Sequence, residues 1–472
     1  MYIDGQWVAP SGTDLIPVLN PANEQVVGAV PAGTGEDVDR AVEAARRAFE
    51  TFSQTTVDER LTLLRNILAI YRLREHEMAE VIRREVGSPW ELAINAQAGL
   101  GRLHLDWAID TLESYRFEEV INETTVRAEP IGVCGLITPW NWPMNQISAK
   151  VSYAIAAGCT MVLKPSELAP LNAVLFAEVL HEAGVPAGVF NLVHGDGPTV
   201  GHAIAAHPDI DMVSFTGSTR GGVEVARAAA PGVKRVAQEL GGKSANIILE
   251  GTDLEHAVRH DVFLMMHNTG QSCDASTRMI VPEHLMDDVL EIAARAARDN
   301  TVGDPQDDTS ILGPLISQAQ FDRVQDLIRA GIAEGAELVE GGLGRPEGLT
   351  EGYYARPTIF GRVTNDMTIA REEIFGPVLC VIGYSSVEEA IAIANDSEYG
   401  LAGRVWGPDI EQVRSVARKM RTGMVALNGS TEDGHTPFGG YKKSGNGREM
   451  GAYGLREYLE FKSIFGDAAI SR

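Results

Sequence analysis

The sequence predicts an α/β protein with a parallel, doubly wound sheet, followed by a second α/β unit of similar size. Three observations carry this. Short apolar strand-like runs alternate with helix-period segments from Ile131 onward. Glycine-rich turns follow several of those strands. A second strand–helix series then begins at Asn246 and runs to Asn395. Alternation of this kind closes into parallel sheets covered by helices. The 472 residues leave room for roughly two or three domains at about 150 residues each. No low-complexity linker or short-period repeat divides them.

In order along the chain, Asp37–Glu50 has helical spacing (Val38, Ala41, Val42, Ala45, Phe49), and Glu59–Val86 continues it. Ile131–Thr138 reads as a buried strand ended by Pro139, followed by a helix over Ile147–Ala157. The strand "CTMVLK", a helix over Ala173–Ala183 and the strand "VFNLV" come next. "GDGPTVGHAIAAH" reads as a turn into a helix, and "MVSFTGS" as strand, glycine turn and helix start. The second series comprises "NIILE", "TRMIVP", a helix over Leu285–Ala297, "VLCVIGY" and a helix over Val387–Asn395. Val120–Glu129 reads as strand.

Composition excludes several classes. With 40 Lys plus Arg against 65 Asp plus Glu, the formal charge is −25. Such a surface repels phosphate backbones, so nucleic acid is not an expected partner. The N-terminus "MYIDGQWVAP" lacks a basic region and an apolar core of the secretory kind. The longest uncharged stretch, Ile131–Ala149, contains Pro139, Asn141, Pro143 and Asn145, a poor membrane span. Four scattered cysteines do not make a disulfide framework, and a cytoplasmic setting is expected. No HExxH or paired CxxC supports a metal, and no G-x-S-x-G elbow is present.

Five stretches carry candidate chemistry. "TGQSCDAST" sets Cys273 in a polar, glycine-flanked turn, whereas Cys134, Cys159 and Cys380 lie in apolar runs that suit core packing. A nucleophilic thiol needs access, and such a turn supplies it. "VAQELGGKS" places Glu239 in an otherwise uncharged run, where desolvation would raise its pKa toward general-base range. A solvated loop glutamate fits the same residues. "FTGSTRGG" (Gly217, Ser218) and "GDGPTVG" (Gly197) offer small residues where helices start, and free backbone N–H groups there favour a phosphate. Ordinary βα turns have the same pattern. "LKPSE" ends a strand with Lys164 and, one turn later, Glu167, able to hold ribose hydroxyls or simply to pair with each other.

Taken together, "TPWNWP", "LKPSE", "FTGST", "ELGGKS", "GQSC", "EEIFGPV" and "PFGGYKKSG" resemble the NAD(P)-dependent aldehyde dehydrogenase superfamily, in its order and spacing, from about Tyr2 to Phe465. The resemblance implies a Rossmann-like NAD-binding domain over 1–110 and 131–241 and an α/β catalytic domain over 242–441. Segments 111–130 and 442–472 would form a small β flap that bridges subunits of a homodimer or homotetramer. It implies Cys273 as nucleophile, Asn141 as oxyanion donor and Glu239 as the base for deacylation. NAD contacts are implied at Ile137, Thr138, Pro139, Trp140, Lys164, Glu167, Gly197, Phe215, Gly217, Ser218, Leu240, Glu373 and Phe375. Glu167 would repel a 2′-phosphate, which favours NAD over NADP. Trp142, His267 and Asp274 would line the path of a small-molecule aldehyde.

Three features depart from the commoner pattern of the family. Asp274 follows the nucleophile, "DASTR" replaces an Ala-Gly-Ser sequence, and the loop Gly429–Thr436 lacks an aromatic residue. With Glu432 and Asp433 nearby in sequence, the mouth is expected to be acidic and to prefer a neutral, apolar or aromatic aldehyde. The alternatives are a CoA-acylating enzyme, a cofactor-free thiol hydrolase and a non-catalytic scaffold.

Overall fold

The computed structural model describes residues 1–468; the last four residues of the expected C-terminal bridging segment lie outside them. The first strand–helix series builds a seven-stranded sheet in the order Arg235–Glu239, Met212–Thr216, Val133–Ile137, Thr160–Lys164, Phe190–Leu192, Tyr2–Ile3 and Gln6–Trp7. Its first five members are parallel, and the N-terminal hairpin adds on antiparallel. The chain starts this parallel set at Val133–Ile137, winds outward to Phe190–Leu192, then returns to the other side at Met212–Thr216. Strand order therefore reverses between Val133–Ile137 and Met212–Thr216. At such a switch point the turns leave in opposite directions and open a crevice at the carboxyl ends of the strands.

The second series forms another seven-stranded sheet: Glu337–Glu340, Thr358–Gly361, Val378–Tyr384, Arg278–Pro282, Ala245–Ile248, Gly403–Trp406 and Ala426–Leu427. All pairs are parallel except the first. Its central strands are buried along their whole length, as expected for a sheet covered on both faces.

The helices follow the sequence pattern closely. Gly35–Phe52 is capped by Thr34 and Asp37, and Val57–Val86 by Thr56 and Glu59, each in a reciprocal capping box. Val387–Asn395 and Val378–Tyr384 coincide with their expected bounds. One expectation is corrected. Val120–Glu129 is not a single strand but parts of two, Glu118–Ile121 and Thr124–Pro130, joined at Asn122 in a left-handed conformation (φ 58°). Asn tolerates that geometry, so "INET" is a turn signal between two strand-forming stretches. The C-terminal strand Leu459–Phe465 pairs with Thr124–Pro130 and completes a three-stranded sheet. Among the described residues, no helix is long and apolar enough to cross a membrane.

Candidate active site

The site lies where two sheet edges of opposite sense meet. Residues at or just beyond the carboxyl ends of the first sheet face residues just ahead of the amino ends of the second. Their shared cleft, about 590 Å³, is lined by Trp140, Asn141, Gly217, Ser218, Glu239, Leu240, Gly241, Cys273, Glu373 and Phe375, among others.

On the first edge, strand pairing sets the residues side by side. Ile137 pairs with Lys164 and with Phe215, and Thr216 pairs with Glu239. Beyond Ile137 the chain passes Thr138, Pro139, Trp140, Asn141 and Trp142 before the helix Pro143–Ala157 begins with its proline at the first position. Two prolines thus bracket the loop that carries Asn141. Beyond Thr216, Ser218 caps the helix Thr219–Ala229, its Oγ accepting from the Gly221 N–H at 3.1 Å. The glycines of this turn have a local cause: a Cβ at Gly217 or Gly221 would come within 2.8 or 2.9 Å of the Phe215 ring. Phe215 therefore packs against this turn, and Gly217, Ser218, Thr219 and Arg220 line the cleft.

Lys164 is buried, and its Nζ donates to Glu167 at 3.1 Å and to the Pro165 carbonyl at 3.0 Å. Gly197 opens a π-helical turn, Gly197–Gly201, capped by Asp196. Lys164, Glu167, Gly197, Ile137, Thr138 and Phe215 belong to the first sheet's edge but do not line the cleft around Cys273.

On the second edge, Cys273 follows three consecutive left-handed residues: Asn268 (φ 53°), Thr269 (φ 58°) and Gly270 (φ 70°). For a β-branched threonine this is a strained conformation, costing about 1–3 kcal/mol. Fixed partners hold it: the Thr269 hydroxyl donates to the Gly313 carbonyl at 2.9 Å, and the Gln271 side chain bonds Asn268 and Ile316. Asn141, from the other edge, donates one N–H to the Gln271 carbonyl at 2.9 Å. That is the one hydrogen bond of its side-chain NH2 among the described residues, and Asn141 lines the cleft with Cys273. Gly242 permits the closest approach of the two segments, since a Cβ there would lie 2.2 Å from the Cys273 carbonyl.

Electrostatics separate the groups. Burial pushes the Cys273 thiol well above its ordinary value, and Asp274, Glu373, Glu239 and Glu432 push the same way. Cys134, Cys159 and Cys380 are fully buried in the core. Glu239 is 4 % exposed, and neither carboxylate oxygen has a hydrogen-bond partner. Burial, then the like charge of Glu449, raises its carboxyl well above the usual range. Glu373 is raised to about 7 by burial, offset by the Gly242 N–H it accepts at 2.8 Å. Its carboxylate lies over Gly241, where a Cβ would come within 2.2 Å. Phe375 holds φ 58°, its carbonyl accepts from Gln320 Nε2 at 2.7 Å, and its ring meets Trp140 edge to face at 5.4 Å.

Trp142 donates its indole N–H to Ser272 Oγ at 2.8 Å and packs on His267 at 5.9 Å between centroids. Asp274 lines a separate recess of about 320 Å³ with Glu432, Asp433, Phe438 and Arg404. The acidic mouth expected from sequence needs one correction: Arg404 shares the recess, and Asp433 is paired to His435 at 2.9 Å. Glu432 sits on an exposed loop, yet its carboxyl is raised to about 7, by desolvation against the recess and by Asp274. Trp107, from the helix Gly99–Ser114, packs against Gly434 of this loop, whose Cβ would fall 2.1 Å from its ring.

Sequence reasoning also missed the buried pair behind Glu239. Lys150 Nζ donates to Glu449 at 2.5 Å and to Ser214 Oγ at 2.8 Å. A lone lysine within the apolar helix "PMNQISAKVSYAIAA" was the available signal.

Comparison with known proteins agrees with this geometry. Residues 7–464 match the model of the aldehyde dehydrogenase family. A 3-succinoylsemialdehyde-pyridine dehydrogenase from Pseudomonas sp is 56 % identical over 466 residues, 98 % of each chain. A cysteine-to-alanine variant of aldehyde dehydrogenase C from Pseudomonas syringae, solved with NAD+ and octanal, superposes with a TM-score of 0.98. It is 54 % identical, over 99 % of this chain and 96 % of that one. The Mycobacterium tuberculosis aldehyde dehydrogenase in complex with NAD+ gives 0.96 at 41 % identity, over 98 % and 97 %. The polar turn that carries Cys273, the buried carboxylate of Glu239 and the two-edged cleft thus belong to a chain of the aldehyde dehydrogenase family.

Proposed function

We propose that this chain oxidises a neutral, apolar or aromatic aldehyde to the carboxylic acid with NAD, through a thiohemiacetal and a thioester on Cys273. The observation that carries the reading is the single cleft that holds Cys273, Asn141 and Glu239 together with Glu373 and Phe375. The unit of residues 1–110 and 131–241 holds the dinucleotide, and 242–441 supplies the nucleophile. Segments 111–130 and 442–472 bridge subunits of a dimer or tetramer.

The residues fit a dinucleotide. The helix start at Thr219, which lines the cleft, suits a pyrophosphate, and Lys164 with Glu167 suits the adenosine ribose. The Glu373 carboxylate over Gly241 suits the second ribose, and Phe375 the nicotinamide ring. Further contacts come from Ile137, Thr138, Pro139, Trp140, Gly197, Phe215, Gly217, Ser218 and Leu240. Glu167 disfavours a 2′-phosphate by like-charge repulsion, which selects NAD over NADP. When bound, NAD supplies the hydride acceptor and a positive charge that favours the thiolate.

The Cys273 thiol first gives up its proton to solvent, and the thiolate Sγ then attacks the carbonyl carbon as the π electrons move to oxygen. The free N–H of Asn141 and the Cys273 backbone N–H stabilise that oxyanion. Departure of the hydride re-forms the carbonyl as a thioester. Glu239, buried and without a protein hydrogen-bond partner, takes a proton from water as the water attacks the thioester. Collapse releases the acid and restores the thiol. A base placed for water also disfavours the CoA-acylating alternative.

In this reading the aldehyde path passes Trp142 and His267, packed on each other beside Ser272, and Asp274 in the neighbouring recess. The relatives support an uncharged substrate, one crystallised with octanal and another named for a pyridine-bearing semialdehyde. The test is an aldehyde panel with NAD, with and without CoA. Octanal and an aromatic aldehyde should exceed succinic semialdehyde in kcat/KM, CoA should not be required, and Cys273→Ala should abolish NADH formation. A preference for the anion would sink the substrate reading, and turnover by Cys273→Ala would sink the covalent one.

A further inference from the structure

The helix that precedes Gly99–Ser114 widens into a π-helical turn over Ala93–Ala98. Such turns are rare and cluster at functional sites. Gln97 sits in it, fully buried, outside the cleft lining. Its Nε2 donates to the Asn141 carbonyl at 2.9 Å and to Asn268 Oδ1 at 3.3 Å. Asn268 Nδ2 donates to the same Asn141 carbonyl at 2.9 Å and to the Gln271 carbonyl at 3.3 Å. Asn141 Nδ2 donates to the Gln271 carbonyl at 2.9 Å. Three side-chain amides thus close a ring around two backbone carbonyls, one from each sheet edge. The ring spans the strained Asn268–Thr269–Gly270 segment.

We infer that Gln97 is a positioning residue for the oxyanion site. It holds the Asn141 backbone and, through Asn268, the segment leading to Cys273, and so fixes where the second N–H of Asn141 points. The inference rests on the reading of Asn141 as the oxyanion donor. Its physical basis is that a donor acts on a developing charge only when aimed beforehand. With both Asn141 bonding groups tied into one ring, loss of Gln97 frees the loop to rotate as a unit.

The experiment uses the full chain with NAD and octanal and compares wild type, Gln97→Met, Asn141→Ala and the double variant. Two rates are read for each: the pre-steady-state NADH burst and alkylation of Cys273 by iodoacetamide. Alkylation displaces iodide at a saturated carbon and develops no oxyanion, so it reports the thiol alone. Gln97→Met should slow the burst about tenfold or more, leave alkylation within about twofold of wild type, and add nothing in the Asn141→Ala background. Equal losses in burst and alkylation, or an undiminished Gln97→Met effect in the double variant, would overturn the proposal. An Asn141→Ala enzyme with the full burst rate would overturn the oxyanion reading and this inference with it. If Gln97→Met fails to fold, Gln97→Glu decides. Its buried carboxyl regains a donor proton as pH falls, so its burst rate relative to wild type should rise at low pH. A pH-independent ratio overturns the proposal.

Discussion

The two edges that form the cleft are built by different means. The carboxyl edge of the first sheet is assembled from neighbours in sequence: strand, proline or glycine, cap and helix. Its helix starts have local causes, as with Phe215 packed against Gly217 and Gly221, and of its cleft residues Asn141 reaches across to Gln271. The amino edge of the second sheet is assembled from afar. The Asn268–Gln271 segment that leads to Cys273 is held by Asn141, Gln97, Gly313 and Ile316, and Glu373 by Gly242. Short-range grammar suffices for a binding surface that tolerates small shifts. A reacting thiol must be placed more tightly, and strain at Asn268 and Thr269 is accepted because distant partners over-determine the loop.

The largest way to break this contrast is to cut the link between edges. Asn141→Ala removes both the tie to Gln271 and the free N–H, and the burst rate should fall by about 10²–10³, while NAD binding by fluorescence titration stays unchanged. A loss confined to NAD affinity would place Asn141 on the cofactor side instead. A smaller effect should come from Gly241→Ala. The added Cβ meets Glu373 Oε2 at 2.2 Å, so the carboxylate must move, and KM for NAD should rise about tenfold with alkylation of Cys273 little changed. An unchanged KM would mean that Glu373 does not contact the cofactor.

The smallest effect concerns pH. Because burial and four acids raise the Cys273 thiol, the free enzyme carries less thiolate at neutral pH than an ordinary cysteine. Iodoacetamide alkylation without NAD should therefore be slow at pH 7 and still rising past pH 9. Adding NAD should shift the curve to lower pH by bringing a cation beside the thiol. A plateau already reached by pH 7 in the free enzyme would contradict the desolvated setting.

The same contrast explains how much was legible in the sequence. Strand alternation and glycine turns identified the first edge, because those signals act over a few residues. The polar turn marked Cys273, and the uncharged run marked Glu239, whose burial the structure bears out. The hairpin at Asn122 was missed because Val120, Ile121, Thr124, Thr125 and Val126 on either side all favour strand and hide a single turn residue. Gln97, Arg404 and Trp107 carried no local signal at all. A buried glutamine reads like any polar residue on a helix until the Asn141 carbonyl, 44 positions away, is seen to accept from it. Lys150 was visible as a lone charge, but its partner Glu449 comes from the far end of the chain.

The central claim is that one edge presents an acyl-carrying thiol and the other presents the base that frees it. Mixing Glu239→Gln with NAD and octanal, following NADH by stopped flow and the protein by intact mass, tests it most directly. The account predicts a burst approaching one NADH per site, turnover reduced by about 10²–10⁴, and an octanoyl adduct that accumulates on the peptide bearing Cys273. Wild-type turnover with no adduct would contradict it.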